Sequence, residues 1–314
     1  MYKQIWERIC SARYIVIVSH IFPDGDTLGS SIALYEALKA LDKKVVLFNA
    51  TCEHLPKEFA FLKPYAKINS KLPKEFDMMI SCDCPNFHKL GLETSERDFT
   101  LINLDHHESN TLFGDMNLIE GSFSSTGLVI YKLLVENNVS INKDCANALY
   151  SSIADDTGFF RYGNLDRACF EAVAHLIECG VNAQFISTRI NSQVSLAKMR
   201  LRAYMYTNFI LHDNAKIASI VFTSDVIKQC GVKRSETKNI VSELRDLATV
   251  ELAIMFLEQE GYWKISLRSS GNINVSEIAQ SFDGGGHKSA AGFEVAQDHC
   301  VQEILEKIIK RVKE

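Results

Sequence analysis

Short apolar runs alternate with helix-spaced patterns over the first 180 residues. Continuous runs rich in Ile and Val predict buried strands at Arg13–Ser19, Lys44–Phe48, Phe76–Cys82 and Thr100–Leu104. Apolar residues at helical spacing predict helices over Thr27–Leu41, Thr126–Glu136, Cys145–Ala154 and Arg167–Cys179. This alternation is typical of an α/β fold with a doubly wound, mainly parallel sheet.

The pattern changes after residue 185. Phe185 to Ile210 contains no glycine or proline and predicts one long helix. Beyond it, strands are predicted at Lys216–Thr223, Val250–Gln259 and Tyr262–Arg268, with a helix over Ser235–Ala248 and a hairpin through Glu260–Gly261. Because 314 residues suit two domains, we predict a first domain over 1–185, a helical connector over 186–207, and a smaller mixed α/β domain over 208–314.

Composition excludes several classes of protein. Hydrophobic residues make up 46% of the chain and charged residues 23%, as in a globular protein. No uncharged apolar stretch is long enough to cross a bilayer, and the N-terminal residues lack the apolar segment of a secretion signal. Nine scattered cysteines predict reduced thiols and a cytoplasmic location. The net charge of −5 disfavours binding to long duplex DNA but allows a small nucleotide substrate.

Four clusters of aspartate and histidine follow predicted strands or end a helix. They are His20 with Asp24 and Asp26, Asp83 alone, Asp105-His106-His107, and Asp155-Asp156-Thr157-Gly158. The first cluster contains Pro23 and Gly25, which predict a tight turn. Each cluster alone is weak evidence for a functional site, since such residues are common in surface turns.

Together the clusters predict a metal centre. Ligands of an open α/β sheet bind beyond the carboxyl ends of its strands, where three of these clusters are expected. Crowded aspartates repel one another unless divalent cations lie between them. Oxygen ligands with some imidazole suit Mn²⁺ or Mg²⁺, and the number of ligands is sufficient for two ions.

The order of these motifs resembles a known family. H-x-x-P-D-G-D-x-x-G-S from His20, the lone Asp83, D-H-H-x-x-N from Asp105 and D-T-G from Asp156 resemble the DHH phosphoesterase superfamily. GGGHKSAAGF at Gly284–Phe293 resembles the glycine-rich signature of its DHH-associated C-terminal domain. The length resembles the branch of nanoRNases and 3′-phosphoadenosine-5′-phosphate phosphatases.

The resemblance implies two metal ions that share Asp83. The ligands would be His20, Asp24 and Asp83 for one ion, and Asp26, Asp83, His106 and Asp156 for the other. Many relatives carry a neutral residue where this chain has Asp155, and we favour Asp156 as the ligand because it directly precedes Thr157-Gly158. Mn²⁺ is the expected ion, with Mg²⁺ as the alternative.

The resemblance also implies roles for residues around the ions. Asp105 would orient a histidine, His107 would contact the scissile phosphate, and Ser125 would line the same cleft. Backbone N–H groups of Gly284, Gly285 and Gly286, together with His287, would bind phosphate or sugar-phosphate. Arg268, the last residue of a predicted strand, is either a clamp on substrate phosphate or an ordinary surface arginine.

The implied activity is hydrolysis of short RNA or DNA oligonucleotides to mononucleotides, and of 3′-phosphoadenosine-5′-phosphate to AMP, by water activated by two ions. Alternatives are a single-strand-specific exonuclease of the RecJ-like type and a phosphodiesterase for cyclic or linear dinucleotides. The GGGH stretch argues against a pyrophosphatase, and the full ligand set argues against a non-catalytic regulator. We expect no membrane partner, and the sequence leaves a homodimer open.

Overall fold

A computed structural model describes residues 1–92, 98–191, 194–237, 240–270 and 273–313. The chain forms two compact units, Met1–Gln193 and Val194–Glu314. Among the described residues, no helix has the length and apolar character needed to span a membrane. All nine cysteines are free.

The first unit is built on a six-stranded sheet in which every neighbouring pair is parallel. Its strands are β1 (Tyr14–Ser19), β2 (Lys44–Phe48), β3 (Ile68–Asn69), β4 (Met78–Cys82), β5 (Thr100–Asp105) and β6 (Met116–Ile119). The order β3-β2-β1-β4-β5-β6 is that of a doubly wound fold, which confirms the predicted fold class. β3 and β6 were not predicted.

Among the described residues, six α-helices accompany this sheet: α1 (Tyr2–Ser11), α2 (Gly25–Ala40), α3 (Thr126–Glu136), α4 (Lys143–Asp156), α5 (Arg167–Glu178) and α6 (Ala183–Asn191). The main core lies between these helices and one face of the sheet, where Ile15, Ile80 and Ile102 are fully buried. A smaller cluster with Val16, Met79 and Leu101 covers the other face. Burial on both faces explains why the central strands are continuous apolar runs.

The second unit contains a mixed six-stranded sheet. Its strands are β7 (Ile210–His212), β8 (Ile217–Phe222), β9 (Leu252–Gln259), β10 (Tyr262–Ser269), β11 (Gly285–His287) and β12 (Ala290–Ala296). They lie in the order β11-β12-β10-β9-β8-β7, and β8 and β9 form the parallel pair. Tyr262 pairs with Gln259 across the predicted hairpin, where Gly261 has a φ of 83°. The mixed α/β character and this hairpin are thus confirmed.

The part of the second unit that the structure describes contains five α-helices: α7 (Leu196–Asn208), α8 (Ser224–Cys230), α9 (Ser242–Arg245), α10 (Val275–Gln280) and α11 (Val301–Lys313). Residues of α10 and α11 pack with Phe256 and Ile265 in one core cluster. Residues of α7, α8 and α9 pack with Met255 and Leu257 in another. The sheet is therefore covered on both faces.

Two predicted helices are wrong in extent. The single helix over Phe185–Ile210 is two helices, since α6 ends at Asn191 and Ser195 caps α7 by accepting a hydrogen bond from the backbone N–H of Lys198 at 3.0 Å. The helix over Ser235–Ala248 is a 3₁₀ turn at Arg234–Thr237 followed by the short α9. Residues 192–193 and 238–239, which fall within these predictions, lie outside the described residues. The boundaries at 185 and 207 stay predictions.

Candidate active site

The predicted residues of the first unit meet at the carboxyl ends of three adjacent strands. His20 follows β1, Asp83 follows β4, and Asp105 is the last residue of β5. The strand order reverses between β1 and β4, so that the chain leaves these two strands in opposite directions. A crevice at such a reversal is the usual ligand site of a doubly wound sheet.

A first group consists of His20, Asp24 and Asp83, whose candidate ligand atoms all lie within 4.8 Å of one another. His20 Nε2 lies 3.7 Å from Asp24 Oδ2 and 3.7 Å from Asp83 Oδ2. The other ring nitrogen, Nδ1, lies 2.7 Å from the Ile21 carbonyl oxygen and is placed to donate to it. That bond fixes the tautomer in which Nε2 offers its lone pair to a cation.

A second group consists of Asp26, His106 and Asp156. His106 Nε2 lies 3.6 Å from Asp26 Oδ2 and 3.4 Å from Asp156 Oδ2. Its Nδ1 lies 3.1 Å from the carbonyl oxygen of Phe123. The second histidine is therefore oriented in the same way as the first.

Asp83 lies between the two groups. Its Oδ2 faces His20, whereas its Oδ1 lies 3.8 Å from His106 Nε2 and 3.5 Å from His107 Nδ1. Asp83 is only 3% exposed and has a φ of 58°, a left-handed conformation that aspartate and asparagine adopt more readily than most residues. Its position allows one carboxylate to serve two cations.

Asp105 is fully buried and holds His107. Its Oδ1 accepts a hydrogen bond from His107 Nδ1 at 2.7 Å, and its Oδ2 accepts one from Asn110 Nδ2 at 2.6 Å. Burial alone would lower the pKa of His107, but Asp105 and the nearby Asp83 raise it to about 10. Burial would likewise raise the pKa of Asp105, but the hydrogen bond from His107 brings it below its ordinary value. In the metal-free protein both shifts favour a carboxylate paired with an imidazolium.

The hydroxyl groups of Thr27, Thr126 and Ser152 hold the carboxylates in place. Thr27 Oγ1 donates to Asp83 Oδ2 at 2.5 Å, and Thr126 Oγ1 donates to Asp83 Oδ1 at 3.1 Å. Ser152 donates to Asp26, which also accepts the backbone N–H groups of Thr126 and Gly127 at the start of α3. The cap bond from the Thr27 backbone N–H to Asp24 was open to prediction from their spacing of three positions, but the bond from the Thr27 hydroxyl to Asp83 was not. Nothing in the sequence pointed to Ser152.

Ser125 has a structural partner. Its side chain is fully buried and caps α3 by accepting the backbone N–H of Leu128 at 3.1 Å. The substrate contact predicted for it stays a prediction.

The charges at this site call for cations. Burial raises the pKa of Asp26 well above its ordinary value, and the Asp83 carboxylate adds to the shift. Desolvation and the neighbouring carboxylates of Asp83 and Asp24 do the same for Asp156. Divalent ions would offset this repulsion, and carboxylate oxygens with two oriented imidazoles are a donor set that such ions accept. The residues present therefore fit the metal ions expected from the sequence.

The predicted substrate residues of the second unit lie on β10, β11 and the turn before β11. Arg268 pairs with Ala290, which in turn pairs with His287, so these three residues form one row across the sheet. Directly paired residues share a face, which places Arg268 and His287 on one side, about 10 Å apart at the usual strand spacing. We call this the Arg268–His287 row.

Gly284, Gly285 and Gly286, which lie beside this row, differ in whether a larger residue could take their place. A Cβ at Gly284 would lie 2.4 Å from the Gly292 carbonyl oxygen, and Gly286 has a φ of 144°. A Cβ on Gly285 would meet nothing within 4 Å. Two of the three positions thus require glycine for backbone packing.

Comparisons with protein families match both units of the chain. The model described as "DHH family, N-terminal domain" matches residues 14–153, and the model described as "DHHA1 domain" matches residues 217–314. The chain contains a DHH domain followed by a DHHA1 domain. Phosphoesterases of the DHH family are hydrolases that use divalent metal ions, as the two groups around Asp83 would allow.

Relatives within the DHH family match this chain over most of its length. A protein of Streptococcus mutans named "Probable bifunctional oligoribonuclease and PAP phosphatase NrnA" is 26% identical over 98% of this chain and 99% of its own. A Thermus thermophilus protein named "Bifunctional oligoribonuclease and PAP phosphatase NrnA" is 25% identical over 96% of this chain and 89% of its own. The crystal structure of an exopolyphosphatase-related protein from Bacteroides fragilis is 23% identical, has a TM-score of 0.90, and shares the fold over 99% of this chain and 95% of that chain.

Proposed function

We propose that this protein hydrolyses short oligonucleotides to mononucleotides and 3′-phosphoadenosine-5′-phosphate to AMP. The observation that carries the proposal is the position of Asp83, with one carboxylate oxygen facing His20 and the other facing His106. Such an arrangement suits two metal ions side by side, which is a recurring device for hydrolysing phosphate esters. The names of the DHH relatives support the choice of substrates.

The metal-holding residues would be His20, Asp24, Asp26, Asp83, His106 and Asp156. We favour Mn²⁺ over Mg²⁺, because two imidazole nitrogens join the oxygen donors. Bound there, the ions supply a water of lowered pKa and positive charge near the phosphoryl oxygens.

His107 would donate a hydrogen bond to a phosphoryl oxygen. Asp105 accepts a hydrogen bond from Nδ1 and raises the pKa of the ring, which favours the doubly protonated form. Such a preoriented cationic donor stabilises the charge that develops on the phosphoryl group. Cys84 is an unsuitable nucleophile, because burial raises its pKa and keeps the thiol protonated.

Binding of the substrate's other phosphate or sugar would fall to Arg268, His287 and the backbone of Gly284–Gly286. An arginine and a histidine on one face of a sheet offer donors to a phosphate. A cytoplasmic location fits the nine free cysteines. A homodimer stays a prediction that analytical ultracentrifugation would test.

The deciding experiment compares substrates on one preparation with Mn²⁺. We expect rapid hydrolysis of linear dinucleotides and 3′-phosphoadenosine-5′-phosphate, and slow hydrolysis of a long single strand, of cyclic dinucleotides and of pyrophosphate. An Asp83→Asn sample provides the control for contaminating nucleases. Preference for the long strand would favour an exonuclease, and activity confined to cyclic dinucleotides would favour the function named in "Cyclic-di-AMP phosphodiesterase GdpP", a Bacillus subtilis relative that is 26% identical over 98% of this chain and 49% of its own.

A further inference from the structure

Asp155 contacts the turn that carries two of the proposed metal ligands. Its Oδ2 accepts the backbone N–H of Gly25 at 2.9 Å, across 130 positions of sequence. Gly25 lies between Asp24, which caps α2, and Asp26 in the first turn of that helix. The Asp155 side chain thus reaches the residue that links the first group of ligands to the second.

Asp155 lies at a position where its negative charge is unfavourable for its own helix. It is the last but one residue of α4, where a negative charge faces the negative end of the helix dipole. The same carboxylate lies at the N-terminus of α2, where N–H groups lack partners within the helix and negative charge is favoured. Its placement is unfavourable for α4 and favourable for α2.

The packing around Gly25 allows its contact with Asp155 but leaves no room for a side chain at position 25. A Cβ on Gly25 would lie 2.5 Å from Asp155 Cγ and 2.3 Å from Phe59 Cζ. Only glycine allows the carboxylate to approach the backbone so closely. Asp24 meanwhile accepts the backbone N–H of Thr27, so each of the two acids binds a different N–H of the same helix start.

We propose that Asp155 is a positioning residue that holds the Asp24–Asp26 turn in the conformation that binds metal. Its oxygen acts as a hydrogen-bond acceptor for Gly25, and the neighbouring Asp156 acts as the ligand. Partners that orient metal ligands commonly change metal affinity or activity by about 10- to 100-fold when they are removed. The inference rests on the proposed function for its metal ions, but its main test is binding rather than turnover.

The test measures the dissociation constant for Mn²⁺ by calorimetry on metal-stripped protein. Asp155→Ala removes the acceptor and should raise the constant at least about tenfold. Asp155→Asn keeps a carbonyl oxygen for Gly25 and should stay within about threefold of wild type. Asp166→Ala is the matched control: Asp166 caps α5 through a bond of the same length, 2.9 Å to the Cys169 N–H, and should leave the constant unchanged.

Melting in EDTA separates positioning from a general loss of stability. Asp155→Ala should melt no lower than Asp166→Ala, and saturating Mn²⁺ should restore most of its kcat on a dinucleotide. Equal weakening of Mn²⁺ binding in Asp155→Ala and Asp155→Asn would overturn the proposal by making the charge or direct ligation decisive. Unchanged binding in Asp155→Ala would also overturn it. Wild-type protein that binds Mn²⁺ but hydrolyses none of the substrates would refute the proposed function and leave this inference standing.

Discussion

The strand ends of the first unit and the Arg268–His287 row of the second unit present polar groups in different ways. Around Asp83, buried carboxylates are held by hydroxyl groups and backbone N–H groups from α2, α3 and α4. In the second unit, strand register aligns Arg268 with His287, and both side chains are half-buried. A fixed, charged centre suits reacting atoms, whereas a partly exposed row suits the binding of varied substrate ends.

The largest effect is expected at Asp83. Asp83→Asn should lower kcat by about 1,000-fold or more, because charge stabilisation by metal ions is worth several kcal/mol and both groups use this carboxylate. Asparagine also tolerates the left-handed backbone, so the fold should persist. Mass spectrometry measures the metal content of the variant, and circular dichroism checks that its fold persists. Full activity with bound metal would refute the shared role.

His107→Ala should lower kcat by about 100- to 1,000-fold, as the loss of one oriented donor typically does. Metal content should remain that of wild type, since His107 is assigned to phosphate. Elemental analysis of the variant decides the matter, and loss of an ion would make His107 a metal ligand.

In the second unit, Arg268→Ala and His287→Ala should each lower kcat/KM on dinucleotides by about 10- to 100-fold, the usual range for a charge-assisted hydrogen bond. Mn²⁺ affinity should be unaffected. Bis-p-nitrophenyl phosphate, which lacks a nucleoside, should be hydrolysed at nearly the wild-type rate. Equal losses on both substrates would contradict a role in binding substrate ends.

The stability of the metal-free protein should fall as the pH rises. The folded-state pKa of His107 is raised from 6.5 to about 10, so its contribution is full below pH 6.5 and disappears as the pH passes 10. The raised pKa values of Asp26 and Asp156 act in the same direction above pH 3.8. Melting in EDTA between pH 6 and 10 should show a decline that is smaller in His107→Ala. A melting temperature that rises with pH over this range would contradict the charges assigned to these three groups.

The smallest effect concerns Ser125. Ser125→Ala should cost about 1 kcal/mol through loss of the α3 cap, and this would lower the melting temperature by about 2–4 °C. Because the hydroxyl is buried, KM should not change. A rise in KM without loss of stability would restore the substrate contact predicted from the sequence.

How far the sequence could predict these regions depends on the distance between interacting residues. β1, β4 and β5 were predictable because buried parallel strands are apolar throughout, and the positions of His20, Asp83 and Asp105 then followed from topology. The two-residue β3 and the four-residue β6 are too short for a pattern. The break between α6 and α7 depends on a serine cap, which a search for glycine and proline misses.

Contacts between distant residues could not be predicted in the same way. Ser152 meets Asp26 across 126 positions, and Asp155 meets Gly25 across 130. The periodicity of a single sequence contains no information on such pairs. The row that aligns Arg268 with His287 likewise required the register of β12, whose small residues gave no clear strand signal.

The same long separations in sequence determine when the proposed metal ligands can come together during folding. Its parts extend from His20 to Asp156, so a growing chain cannot bring them together until nearly the whole first unit has left the ribosome. Contacts this far apart in sequence form slowly, because the chain must lose much entropy before they contribute. Uptake of Mn²⁺ during refolding would therefore be a late event. It would report on completion of the parallel sheet rather than on its first strands.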